Sequence, residues 1–131
     1  MGIERFEDIE AWKAARELTR QVYDVSAEGA FARDYGPRDQ IRRASVSVMA
    51  NISEGFDSQS SKAFIQFLGY ALRSATEAQS HLYVALDQNY IDRAVFEELY
   101  GETVTVKNLI HGFMRYLRSV DGSKVSASPR A

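Results

Sequence analysis

The chain has 131 residues, of which 45% are hydrophobic and 26% charged, a composition typical of a single globular domain. Its net charge of −2 gives no overall attraction to nucleic acid or to anionic membranes, and the absence of cysteine excludes disulfides and thiolate metal sites. No stretch approaches the ~20 apolar residues that a membrane span requires, and the acidic N-terminus does not resemble a secretory signal. We therefore expect a cytoplasmic protein of bacterial type with no membrane association.

Apolar side chains recur at spacings of three and four residues along most of the chain, which predicts an all-α protein. The first helix is expected to begin with Asp8 as its N-cap and to end near Ala27. Residues 28–36 contain two glycines and are predicted to form a loop. The second helix is expected to start at Pro37 and to stop at Gly55, because proline suits a first helical position and glycine suits the position after the last.

The second half of the chain predicts two longer helices. Helix 3 is expected over Ser61–Asp87, with Ser58 or Ser60 as its cap. Small residues in the middle of helix 3 would let another helix come close, so we expect helix 3 to be central. Helix 4 is expected to begin at Asp92, which is another good N-cap, and Gly101 is expected to kink or divide it.

Four helices joined by short loops favour an antiparallel up-down-up-down four-helix bundle over residues 1–122. The remaining residues, 123–131, are small and polar and include a proline, so we expect a disordered tail. The sequence contains no internal repeat and no low-complexity block that would indicate a second domain.

The predicted second helix carries a polar stripe beside its apolar one, built mainly from amides and hydroxyls. Such groups satisfy one another only at close range, so the stripe favours a semi-buried contact in an oligomer. We predict an ion pair from Arg42 or Arg43 to Glu77 on helix 3, within a subunit or across subunits. A ligand site and a plain solvated face are the alternatives. The polar seam predicted in this way comprises Gln40, Arg42, Arg43, Ser47, Asn51, Glu54, Ser74 and Glu77.

A second candidate surface on helix 4 is basic. Cations and one histidine recur there at spacings of four, four and three, with no acid between Thr103 and Val120. These charges would complement the helix C-terminus on an ordinary solvated face, or they would follow the phosphates of RNA or DNA. The nucleic-acid contact predicted under the second interpretation comprises Arg38, Lys107, His111, Arg115 and Arg118.

The sequence lacks the residue patterns of common catalytic sites. Its two histidines, His81 and His111, belong to no His-x-x-x-His or Glu-x-x-His pair of the kind that binds metals on helices. Neither a phosphate-binding glycine loop nor a nucleophile elbow is present. We therefore predict no catalytic residue, no metal and no cofactor, and expect a non-enzymatic protein.

Several motifs together are unusual for a generic helical bundle. They are Phe6-Glu7-Asp8 in helix 1, Gln40-Ile41-Arg42-Arg43-Ala44 and Asn51-Ile52-Ser53-Glu54-Gly55 in helix 2, and Tyr90-Ile91 after helix 3. Over about residues 6–118 the sequence resembles the four-helix-bundle proteins named after the intervening sequences of bacterial 23S ribosomal RNA genes. The resemblance implies a ring-shaped homopentamer with no established biochemical activity. It also implies a distant likeness to the accessory protein of diversity-generating retroelements, a pentamer that binds nucleic acid and a reverse transcriptase.

Two functions follow from these patterns as expectations. The first is a non-enzymatic oligomeric scaffold, with a pentamer favoured, whose partner is a protein. The second is an RNA- or DNA-binding accessory protein that uses the basic stripe on helix 4 together with Arg38, Arg42 and Arg43.

Overall fold

A computed structural model describes residues 2–120 of the chain. Within these residues the protein is all-helical, as predicted, and forms no strand. The predicted tail at residues 123–131 lies outside the described residues. A short 3-10 turn is followed by five α-helices in the order α1, α2, α3, α4 and α5. The turn covers Phe6–Asp8, and the helices cover Glu10–Val25 (α1), Gly29–Arg33 (α2), Tyr35–Phe56 (α3), Ser61–Asp87 (α4) and Arg93–Ser119 (α5).

The four long helices pack around one hydrophobic core. Helix α1 packs against α3 and α5, and α4 packs against the same two helices from the other side. The core is formed by the apolar stripe of each helix, because an amphipathic helix gains most by burying that stripe against its neighbours. Side chains exposed by no more than 1% include Leu18, Ile41, Ile52, Leu68, Val106 and Ile110.

Helices α3 and α4 come close because small residues line their contact. Ala71, Ala75 and Ala78 of α4 are all buried, as expected from the small middle of this helix. A Cβ atom on Gly55 would lie only 2.6 Å from Cδ1 of Phe64. Gly55 lies inside α3, which ends at Phe56, so the prediction that it stops the helix is wrong. This glycine instead serves close packing of α3 on Phe64.

Three predictions for the N-terminal half are also wrong. Asp8 does not cap α1, whose N-cap residue is Ile9 without a side-chain cap bond, although the end of α1 at Val25 is within two residues of the predicted end near Ala27. Residues 28–36 are not a loop throughout, because they contain α2. Helix α3 starts before Pro37, which is its third residue.

Long-range contacts hold the short helix α2 in place. Phe31 is 1% exposed and stacks on Tyr90 with ring centroids 5.1 Å apart. The hydroxyl of Tyr90 donates a 2.5 Å hydrogen bond to Oδ2 of Asp34. Gly29 begins the helix with a φ of 59°, a conformation that glycine adopts without steric cost. Helix α2 is therefore fixed to the connection between α4 and α5.

The predicted limits of α4 and the start of α5 are confirmed. Oγ of Ser60 accepts a hydrogen bond from the amide of Ala63 at 3.1 Å, and α4 covers Ser61–Asp87. A carboxylate oxygen of Asp92 accepts a bond from the amide of Val95 at 2.8 Å. Helix α5 then continues unbroken through Gly101, so this glycine does not divide it.

Candidate functional site

The centre of the polar seam forms a hydrogen-bonded contact between α3 and α4. Oγ of Ser47 lies 2.8 Å from Oγ of Ser74. The amide group of Asn51 donates to the carbonyl oxygen of Ser47 at 2.9 Å and to its Oγ at 3.1 Å. All three side chains are half-buried. The structure therefore brings these three predicted seam residues together.

The outer members of the polar seam behave differently. Gln40, Arg43 and Glu54 are exposed and make no side-chain hydrogen bond or ion pair with the described part of the chain. Glu77 is also exposed, and its Oε2 lies 3.4 Å from Nε2 of His81. A surface with hydrogen-bonded hydroxyls at its centre and exposed amide and charged groups at its edge is suited to contact with another molecule.

Arg42 lies on the opposite flank of α3 from the seam centre. Its Nε donates a 2.8 Å hydrogen bond to Oγ of the fully buried Ser26. Its guanidinium group lies 4.4 Å from the ring centroid of Tyr23 on α1. Arg42 and Glu77 therefore do not meet within the chain, and Arg43 forms no ion pair there either, so the intrachain form of the predicted pair is wrong. Its form across subunits stays a prediction.

Around Arg42, α1 and α3 together present a surface that we call the aromatic–arginine face. Arg16 lies 5.8 Å from the ring centroid of Trp12, and Arg38 lies 4.7 Å from that of Tyr35. Tyr23 and Tyr35 are 42% and 65% exposed. The sequence analysis did not identify this surface, because its members come from two helices. The face comprises Trp12, Arg16, Tyr23, Tyr35, Arg38 and Arg42.

Arg38 lies away from the basic stripe with which it was predicted to act. It is on α3, where its Nε is 2.8 Å from Oδ1 of Asp39 and its Nη1 donates to the carbonyl of Ala32 at 3.0 Å. The hydrogen bond to Asp39 raises the pKa of Arg38 and lowers the pKa of that carboxyl group. The structure does not bring Arg38 together with the cations of α5.

The basic stripe on α5 lies beside α4. Nζ of Lys107 donates to Oγ1 of Thr76 at 2.9 Å and to Oε1 of Gln79 at 3.3 Å, so this cation is partly engaged within the bundle. The other three members are exposed and form no ion pair with the described residues. They are His111, Arg115 and Arg118.

Charged side chains on the outer surface of α1 pair among themselves. Arg20 lies 2.6 Å from an oxygen of Glu17 and 2.7 Å from one of Asp24. Hydrogen bonds from Arg20, and next from Gln21, lower the pKa of Glu17 to about 2. The charges of this surface are therefore paired with one another, whereas the seam edge and the basic stripe carry charges that form no ion pair within residues 2–120.

No described helix has the length and apolar character needed to cross a membrane. Over residues 2–120, no group of three or more histidine, aspartate and glutamate side chains is placed to hold a metal ion. Two polar clusters lie between the described helices: the serine–asparagine centre of the seam joins α3 and α4, and a cluster that includes Gln79, Thr103 and Lys107 joins α4 and α5.

Comparison with known proteins agrees with this architecture. The fold is similar to that of a protein of unknown function from the S23 ribosomal protein family of Bacteroides thetaiotaomicron VPI-5482, whose crystal structure was determined at 1.70 Å resolution. The TM-score is 0.72 at 23% sequence identity, over 80% of this chain and 98% of that chain. No curated protein matches the sequence. The family model for the 23S rRNA-intervening sequence protein matches residues 7–112. Since this match spans most of the chain, the protein belongs to the 23S rRNA-intervening sequence protein family.

Proposed function

We propose that this protein is a non-enzymatic scaffold that assembles into a homo-oligomer through the polar seam and in turn holds a protein partner. One observation carries the proposal: the seam is hydrogen-bonded between α3 and α4 at its centre and presents exposed amide and charged groups at its edge. Gln40, Arg43 and Glu54 form no side-chain hydrogen bond or ion pair with residues 2–120, although Ser47 and Asn51 beside them are hydrogen-bonded. Amide and charged groups arranged in one stripe favour a single register between copies.

The proposed architecture within each copy is an antiparallel up-down-up-down bundle. Two contacts between α3 and α4 support it. Gly55, near the end of α3, lies against Phe64 near the start of α4, whereas the earlier Ser47 bonds to the later Ser74. Later positions on α3 thus meet earlier positions on α4, as expected where a short connection joins two helices side by side.

A ring of five copies is the proposed assembly. Its support is the resemblance of the sequence to a family whose members form homopentamers. A ring repeats every surface of the subunit several times, so a weak contact with a partner is multiplied. Such a device suits a scaffold that holds other molecules together.

The seam chemistry supports a role without catalysis. A serine nucleophile requires a neighbouring base that removes its proton. The hydroxyls of Ser47 and Ser74 bond to each other, and the third member of the cluster is the amide of Asn51, which is not a base. We therefore propose that these hydroxyls fix the contact between α3 and α4.

Light scattering tests the scaffold directly. The variant Gln40→Glu/Arg43→Glu adds negative charge at two exposed seam positions without touching the core, so we expect it to lower the assembled mass. Arg20→Glu, on the outer surface of α1, is a control for changed charge and should leave the mass unchanged. A wild-type protein with the mass of one chain at every concentration would contradict the proposal.

Nucleic-acid binding is the second candidate function, and the exposed cations of α5 favour it. His111, Arg115 and Arg118 form no ion pair with an acid among residues 2–120, and Arg73 is exposed on the neighbouring helix α4. Around a ring, such a stripe would follow phosphates at many points.

Retention of the protein on a polynucleotide at low salt tests this second function. Arg115→Gln/Arg118→Gln should weaken retention and reduce the salt dependence by roughly 0.7–0.9 per lost phosphate contact. Lys13→Gln/Arg20→Gln removes the same charge from α1 and should have less effect, because both cations already pair with acids. No retention of the wild-type protein would end this alternative.

A further inference from the structure

This inference rests on the scaffold function proposed above and concerns the surface that the polar seam contacts. A face that meets its own copy around a twofold axis closes at two subunits. A ring with more members requires two different faces on each subunit, one of which receives the other. The seam edge can therefore be only one half of the contact, and the other half must lie elsewhere on the bundle.

The aromatic–arginine face has the composition expected of the second half. Tryptophan, tyrosine and arginine are the side chains most enriched where binding energy concentrates in protein interfaces. Tyr23 and Tyr35 are 42% and 65% exposed although their rings are large, and Val46, on the outer surface of α3, is 41% exposed. Tyr35 leaves most of its surface exposed, and Tyr23 and Val46 each leave about two fifths exposed, so all three would bury further apolar surface against another copy.

The charges of the two faces are complementary in net sign, because the aromatic–arginine face carries three arginines and the seam edge carries two glutamates beside the single cation Arg43. Arg16 and Arg42 lie in the aromatic–arginine face and form no ion pair within the described chain. Glu54 and Glu77 lie at the seam edge, where Glu54 is unpaired and Glu77 contacts only His81 at 3.4 Å.

Arg42 donates from Nε to Ser26, and its charge helps to lower the pKa of Asp39 after the larger effect of Arg38. Its two outer nitrogens donate no hydrogen bond within residues 2–120 and can donate to a carboxylate of another copy.

We propose that the aromatic–arginine face of one copy receives the seam edge of the next copy, with Arg42 paired to Glu77 across the contact. The two faces lie on neighbouring sides of the bundle, because α3 packs between α1 and α4. Neighbouring sides of a four-helix bundle point in roughly perpendicular directions, so copies joined through them turn and close into a small ring. Opposite sides would instead extend the assembly into a filament.

Charge reversal on the full-length protein tests the pairing. Arg42→Glu and Glu77→Arg should each raise the concentration at which half the chains are assembled by at least about tenfold, because each places like charges together. The double variant Arg42→Glu/Glu77→Arg should restore assembly. Arg93→Glu and Glu98→Arg reverse exposed charges on α5, outside both faces, and should leave the light-scattering mass unchanged. Circular dichroism of each variant checks that the helices are retained.

Arg16→Glu provides a second test that does not disturb the bond to the buried Ser26, and it should weaken assembly in the same direction. If the wild-type protein is an oligomer and both Arg42→Glu and Arg16→Glu keep its assembled mass, the pairing is overturned and the scaffold function is left intact. A double variant that stays dissociated would also overturn it. A wild-type protein that has the mass of one chain would instead remove the scaffold function and this inference together.

Discussion

Replacing Gly55 by alanine should destabilise the bundle by about 1 kcal/mol, although alanine favours a helix more than glycine does. The added Cβ would lie 2.6 Å from Cδ1 of Phe64 and 3.0 Å from Cβ of Phe67. Phe64 is 1% exposed, so its ring is held by the core and cannot move away freely. Overpacking of this kind costs about 1–3 kcal/mol, which exceeds the helix gain of about 1 kcal/mol.

Urea titration of the Gly55→Ala protein, at the same protein concentration as the wild type, measures this effect. Gly101→Ala is the matched control, since Gly101 is exposed within α5 and an added Cβ meets no atom within 4 Å. The control should gain about 1 kcal/mol from helix propensity alone. If Gly55→Ala were as stable as Gly101→Ala, the packing explanation for Gly55 would be refuted.

Three further predictions concern stability. Asp92→Ala should lower the free energy of unfolding by about 1 kcal/mol because it removes the cap of α5. Asp8 does not cap α1, so Asp8→Ala should change the free energy of unfolding by less than about 0.5 kcal/mol. Urea titration of both variants measures the difference. Leu68→Ala, at a fully buried site, should cost about 3 kcal/mol in the same assay, and a loss below about 1 kcal/mol would be unexpected. In the wild-type protein the hydrogen bond to Asp34 raises the pKa of Tyr90 above its ordinary 10.0. The variant Tyr90→Phe loses this bond. The stability that this bond contributes is present below that ordinary value and disappears as the pH rises through the raised pKa, so the wild-type advantage over Tyr90→Phe should shrink in alkaline solution; an advantage independent of pH would contradict this.

The long helices could be predicted because their signals are local. The apolar spacing and the caps at Ser60 and Asp92 lie within one or two turns of the ends they define, so α4 and the start of α5 follow from the sequence alone. The close contact at Gly55 has no local signal that separates it from a helix stop. It depends on Phe64, which comes close only after α3 and α4 have packed.

Helix α2 could not be predicted for a related reason. It is only five residues long, and so short a helix gains little from its own hydrogen bonds. Its stability comes from Phe31 stacked on Tyr90, and from the bond between Tyr90 and Asp34, which lie far apart in the sequence. Tertiary contacts therefore override two glycines that locally indicate a loop.

The candidate site was predictable in part. Helical spacing placed Ser47 and Asn51 on the same stripe, and the bond to Ser74 follows from the pairing of α3 with α4. Arg42 and Arg43 were treated as interchangeable, although successive helical residues point about 100° apart. That rotation directs Arg42 to Tyr23 on α1, and the aromatic–arginine face forms only when α1 and α3 have packed together.

The mass of the wild-type protein in solution, measured by light scattering over a dilution series, tests the central claim most directly. The account predicts an assembled species well above the chain mass of 14.8 kDa, with five chains as the expected number. A mass of one chain at every concentration would show that the exposed edge of the polar seam faces only water, and would contradict the proposed assembly.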